Sequence, residues 1–123
     1  PRRSFQMRVI IAGSRNLPKD HPPIYYVADA YLKSGFKASE IVSGGCRGVD
    51  LAGEQFAQER QIPIKRFDPD WDKYGKSAGP IRNREMGNYG DALIAIWFNE
   101  SKGTADMIRF AHQRAIPVYV YKL

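Results

Sequence analysis

Three glycine-bearing segments hold the residues best suited to grip an anion. The first is Ser43-Gly44-Gly45-Cys46-Arg47-Gly48-Val49-Asp50, directly after the apolar Ile41-Val42. Glycine tolerates positive φ and lets a ligand come close to the backbone. A helix starting behind such a turn adds unpaired N–H groups and the positive end of its dipole, which favour phosphate. On that reading Gly44, Gly45 and Gly48 give backbone donors and Arg47 stands beside them. Asp50, in the first helical turn, either complements the dipole or meets a ligand hydroxyl such as a ribose. A tight strand-to-helix connection uses the same glycines for packing alone.

The second segment, Gly13-Ser14-Arg15-Asn16, ends a β-branched run that begins at Met7, and the third, Gly103-Thr104, follows the apolar run Asp91 to Phe98. Thr104 reads as an N-cap whose hydroxyl either only caps or also meets a phosphate, and Asp106 lies in the same first turn. Gly79-Pro80-Ile81-Arg82-Asn83-Arg84-Glu85-Met86 reads as a helix start with Pro80 at its first position. Arg82 and Arg84 then fall in the first turn, where the dipole disfavours cations, and an anion gripped by arginine would resolve the conflict. The alternative is that both point to solvent or pair with Asp70, Asp72 or Glu85. Trp71, in the aperiodic polar stretch from Asp68 to Ala78, either stacks on a base or folds over the edge of the core.

Other chemistries find less support. His21 and His112 are isolated, with no metal-like spacing to cysteine or carboxylates, so neither a metal nor a cofactor is expected. There is no nucleophile-elbow serine and no Walker-type loop. Cys46 reads as a small residue in a tight turn. The net charge of +6 and the pI near 9.6 suit an anionic partner: a nucleotide, a phosphorylated metabolite or nucleic acid. The basic residues are spread rather than gathered into a stripe, which ranks nucleic acid behind a small molecule. No apolar run reaches membrane-spanning length and no signal-peptide pattern is visible, so no membrane partner is expected. With Cys46 as the one cysteine, the expected compartment is the reducing cytoplasm.

Positioning these residues takes alternating strands and helices. Strands are expected near 7–12, 39–43, 62–67, 91–98 and 117–121. Pro22-Pro23 opens a helix with Ile24, Val27, Ala28, Tyr31 and Leu32 on its apolar face, stopped by Gly35. Val49, Ala52, Gly53, Phe56 and Ala57 give a second helix, the segment from Pro80 a third, and Thr104 to Ala115 a fourth, with Ile108, Ala111 and Ala115 on one face. The order β-α-β-α-β-α-β-α-β implies one α/β domain over residues 1–123, a three-layer sandwich around a mainly parallel sheet of about five strands. The loops after the strands at 7–12, 39–43 and 91–98 share the edge where open α/β sheets bind ligands.

Taken with Val9-Ile10-Ile11-Ala12-Gly13-Ser14-Arg15, the segments Ser43–Asp50, Ala78–Met86 and Gly103-Thr104-Ala105-Asp106-Met107 resemble the SLOG superfamily (the Smf/DprA and LOG group). Within it the chain is similar to the small YspA/YpsA-like proteins, which carry a strand-GG-x-RG-x-D turn and a GPIRN-R-EM helix start. The resemblance spans nearly the whole chain. It implies a Rossmann-like domain that binds nucleotides or nucleotide-derived ligands at the C-terminal edge of the strands, and by analogy a homodimer. LOG relatives are phosphoribohydrolases that cleave the N-glycosidic bond of a modified nucleoside monophosphate. Gly103-Thr104 matches their GT, and Arg82 or Arg84 stands for their helix arginine. Their glutamate is Met107 here, Ser101-Lys102 replaces the preceding GG, and Asp106 points about 100° away from Met107 on a helix.

Three functions follow as expectations. The first is a binding domain or sensor for a nucleotide. In it Gly44, Gly45, Gly48, Gly103 and Thr104 face phosphate, Arg82 and Arg15 neutralise it, Asp50 meets a ribose hydroxyl and Trp71 covers the base. Gly13, Ser14, Arg47 and Asn83 belong to the same binding edge. The second is an N-glycosidase on a nucleoside monophosphate, with Arg82 on the phosphate and Glu85, Asp106 or Asp50 as acid/base. The third is a DprA-like binder of single-stranded nucleic acid.

Overall fold

The computed structural model describes residues 7–99 and 101–123. Among them, β-branched and aliphatic runs give strands β1 (Arg8–Gly13), β2 (Glu40–Ser43), β3 (Ile64–Arg66), β4 (Ala92–Trp97) and β5 (Val118–Lys122). The helices are α1 (Pro23–Ser34), α2 (Val49–Glu59), the single turn α3 (Trp71–Tyr74), α4 (Ala78–Tyr89) and α5 (Lys102–Gln113), with a 3₁₀ turn at Gly75–Ser77. All strand pairs are parallel and the sheet order is β3-β2-β1-β4-β5, a Rossmann-like α/β arrangement.

Alternation along the central strands builds two cores. Val9 and Ile11 of β1 point into the layer with Val27 of α1 and Phe56 of α2. Ile10 and Ala12 point the other way, into the layer with Met86 of α4 and with Met107 and Ala111 of α5. Burial on both faces explains why β1 and β4 read as unbroken apolar runs. The chain steps outward from β1 to β2 and β3, then crosses back to β4 and β5 on the other side. The loops after β1 and β4 therefore part in opposite directions and leave a crevice at their C-terminal ends.

Several expected boundaries move. Leu32 is 71% exposed, and Tyr26, Val27 and Ala30 form the buried side of α1. At about 100° per residue, Leu32 lies about 80° round from Ile24, off the stripe. The stretch expected to be a loop instead forms α3 and the 3₁₀ turn, which run into α4. Asp70 caps α3 by accepting from the Lys73 N–H at 3.1 Å. Because α4 starts at Ala78, Pro80 is its third residue and Arg82 and Arg84 fall in its second turn. The expected clash of these arginines with the helix dipole is therefore absent. Likewise α5 starts at Lys102, capped by Ser101, whose Oγ accepts from the Thr104 N–H at 3.4 Å. Thr104 is thus the third residue of the helix and not its cap. The helix ends at Gln113, and Ala115 lies beyond it, exposed, with φ 59°.

Gly90 closes α4 at φ −81°, a conformation open to any residue. An added Cβ, however, would stand 2.6 Å from both Cγ1 and Cδ1 of Ile10, which is fully buried in β1. Gly90→Ala should lower stability by roughly 1–3 kcal/mol through overpacking. Calorimetry should show this as a Tm several degrees below wild type.

Candidate functional site

The crevice is a cleft of about 580 Å³. Its walls come from the β1–α1 loop, the turn before α2, the α3–α4 segment and the start of α5. Ser14 holds two of these together. Its Oγ donates to the Phe98 carbonyl and accepts from the Phe98 N–H, both at 2.8 Å, and its N–H donates to the Ile96 carbonyl at 3.0 Å. Its own carbonyl accepts from the Val49 N–H at 3.2 Å, tying the loop to the start of α2. That contact leaves no room for a side chain at Gly48, where φ is +82° and a Cβ would lie 2.6 Å from the Ser14 carbonyl oxygen.

The glycine turn after β2 uses two of its donors on its own chain. The Gly45 N–H donates to Ser43 Oγ at 3.0 Å, and the Cys46 N–H donates to Asp50 Oδ2 at 3.2 Å. Ser43 Oγ also donates to Glu54 Oε2 at 2.6 Å, and Arg66 of β3 grips Glu54 with two bonds of 2.8 and 2.9 Å. Burial raises the Glu54 pKa, but the Arg66 and Ser43 hydrogen bonds outweigh it and hold the carboxyl below its ordinary value.

Behind this turn lies Arg82, 8% exposed. Its Nη1 donates to the Gly44 carbonyl at 2.5 Å and its Nε to Asn83 Oδ1 at 3.1 Å, while Cys46 Sγ lies 3.8–3.9 Å from its two terminal nitrogens. Asn83 passes the connection on: its Nδ2 donates to Asp106 Oδ2 at 2.9 Å and to the Gly103 carbonyl at 3.3 Å. One arginine–asparagine pair on α4 thus joins the turn before α2 to the first turn of α5.

Of the residues singled out from the sequence, Gly13, Ser14, Arg15, Asp50 and Trp71 line the cleft. So do Arg82, Asn83, Gly103, Thr104 and Asp106. Gly44, Gly45, Arg47 and Gly48 lie outside its lining, and so does Glu85, which is exposed on the outer side of α4. Asp106 lines the cleft together with Met107, one residue further round the helix, and accepts from Asn83 Nδ2. Cys46, Met86, Met107, Lys76 and Lys102 also line the cleft. Cys46, Met86 and Met107 lie within the segments Ser43–Asp50, Ala78–Met86 and Gly103–Met107, and Lys76 and Lys102 come from just before α4 and the first position of α5. Arg15, Lys76 and Lys102 are exposed at the mouth, and Trp71 is half-exposed beside them. Among the described residues no group of three or more His, Cys, Asp or Glu could hold a metal ion.

Asp50 is the electrostatic anomaly of the site. Burial pushes its pKa up to about 6, against the pull of the Cys46 N–H and the Arg82 charge and with a small push from Glu54. A carboxyl whose pKa is higher folded than unfolded contributes its full stability below the unfolded pKa of 3.8 and loses it as the pH rises through about 6. Asp50→Asn removes the charged form. It should therefore stabilise the protein by roughly 2–3 kcal/mol at pH 7.5, as an upper estimate. The gain should shrink towards zero at pH 4, as denaturant titrations at the two pH values would show.

A cleft at the switch point of a parallel sheet, lined by strand-to-helix turns, places the protein among Rossmann-like α/β folds. More narrowly, the chain belongs to the YspA, cpYpsA-related SLOG family (YAcAr), whose model matches residues 7–74, over half the chain. It is 35% identical over 118 residues to the Gene 61 protein of Mycobacterium phage D29, covering 90% of this chain and 93% of that protein. DNA processing protein A (DprA) from Streptococcus pneumoniae shares the fold, with a TM-score of 0.73 over 94% of this chain at 18% identity. The present chain covers 50% of that structure's length.

Proposed function

We propose that the cleft binds a nucleotide or a nucleotide-derived ligand, as a binding or sensing domain. The observation that carries this reading is the polarity of the cleft. Three exposed cations, Arg15, Lys76 and Lys102, stand at its mouth beside the N-terminus of α5, and Met86, Met107 and Ala12 line its apolar interior. Phosphate suits the mouth, where Lys102 and Gly103 occupy the first two helical positions. A planar base suits the interior, with Trp71 as its outer cover. The cleft volume of about 580 Å³ falls within the range of small-molecule sites. Membership of the SLOG family supports a role related to nucleotides or nucleic acids, as does a structural neighbour named DNA processing protein A.

A thermal-shift panel of mononucleotides, dinucleotides, cyclic nucleotides and ADP-ribose tests the reading. A ligand at about 100 times its Kd should add roughly 2.7 kcal/mol, several degrees for a domain of this size. Lys102→Ala with Trp71→Ala should abolish the shift, and Leu32→Ala, on the exposed side of α1, should leave it intact. No shift with any ligand, or a shift that survives the double variant, would overturn it. Single-stranded DNA in the same panel, with affinity falling steeply as salt is raised, would point to nucleic acid instead.

A second reading, N-glycosidic hydrolysis, draws support from the two carboxylates in one cleft. Asp50, with its pKa pushed up to about 6, is suited to hold a proton, and Asp106 is oriented by Asn83. Release of free base from a bound nucleoside monophosphate, lost in Asp106→Asn, is the expected result. Bound substrate recovered intact would exclude it.

A further inference from the structure

We infer that the cleft floor reads the hydrogen-bonding edge of a nucleobase through Asp50 and Arg82, so that the ligand enters base first and leaves its phosphate at the mouth. The inference rests on the nucleotide reading above and adds which end of the ligand goes in and what recognises it. Its basis is a buried acid and a buried base that do not satisfy each other. Asp50 is 6% exposed and Arg82 8%, and both line the cleft. They meet over Gly44, where an added Cβ would lie 2.5 Å from Arg82 Nη1 and 2.8 Å from Asp50 Oδ2. Yet among the described residues the two form no ion pair within 4.0 Å.

Each is tied on one side. Asp50 Oδ2 accepts from the Cys46 N–H, and Oδ1 has no partner among the described residues. Arg82 uses Nη1 on the Gly44 carbonyl and Nε on Asn83, which leaves Nη2 with only the weak Cys46 sulfur at 3.9 Å. Charged groups out of water need their full set of hydrogen bonds. A free acceptor and a free donor on the lining of one cleft complement a base edge, which carries a donor and an acceptor of its own. A phosphate at the same point would face the Asp50 carboxylate. Met86, Met107 and Ala12 give the apolar walls a planar ring requires, and thioethers pack well against aromatic rings.

Burial places the Asp50 pKa near 6, so above that pH it offers a charged acceptor. The groups facing it are Arg82 of α4, Glu54 and Cys46 around α2, Arg15 of the β1–α1 loop and Arg66 of β3. Binding of a donor-bearing base should therefore weaken as the pH falls through about 6.

Calorimetric titration of the full chain tests the inference with two matched pairs. Adenosine monophosphate is compared with purine riboside monophosphate, and guanosine monophosphate with inosine monophosphate, each pair differing by one amino group. Ribose 5-phosphate serves as the ligand without a base. In at least one pair the amino-bearing nucleotide should bind about tenfold or more tightly. Asp50→Asn, whose amide oxygen still accepts from the Cys46 N–H, should close that gap, and Leu32→Ala, outside the cleft, should leave it intact. Lys102→Ala should weaken all five ligands. Equal affinities within both pairs, with binding still dependent on Lys102, would overturn the base-first orientation and leave the nucleotide site standing. If no nucleotide binds the wild-type protein, both readings fall.

Discussion

The site depends on one buried guanidinium. Arg82 donates to the Gly44 carbonyl and, through Asn83, fixes Gly103 and Asp106, so one side chain on α4 sets the distance between the turn after β2 and the start of α5. A buried arginine requires acceptors, and the structure supplies them from backbone and amide groups rather than from a carboxylate. Gly44 follows from this demand, and Gly48 from a second close approach. At Gly44 a Cβ would collide with the guanidinium, and at Gly48 it would collide with the backbone after β1. The glycine-rich turn thus lets parts of the chain approach one another. The N-terminus of α5, with Lys102 as its first residue, borders the same cleft.

Much of the fold was legible because the two central strands are buried on both faces. Val9 to Ala12 and Ala92 to Ile96 show this as uninterrupted apolar runs, and the helices between them force parallel pairing. Helix starts were less legible, because proline and threonine are good early residues without being the first. Ser77 and Ser101 precede α4 and α5, ahead of Pro80 and Thr104. The single turn α3 is too short to show any period, and Leu32 fits a loose pattern while lying off the buried stripe.

Candidate site residues were legible one strand end at a time. Gly13 to Arg15, Asp50 and Gly103 to Asp106 could be found because each sits where a strand gives way to a helix. What the chain order hides is how the three ends share hydrogen bonds. In the glycine turn the Gly45 and Cys46 N–H groups are taken by Ser43 and Asp50, and the Val49 N–H behind it by Ser14. Arg82 lies behind that turn, Glu85 faces outward, and Lys76 and Lys102 come in from separate helix starts. None of these placements has a signature in local spacing, since each is set by how α4 and α5 pack on the sheet.

Amide chemical-shift mapping on isotopically labelled protein, titrated with a purine nucleoside monophosphate, is the most direct test of where ligand binds. The expected result is saturable movement of the Cys46, Gly103 and Thr104 amides and the Trp71 indole N–H, with the α1 and β5 amides unmoved. Movement centred on α1 or β5, or none at saturating nucleotide, would contradict a site at the β1/β4 switch point.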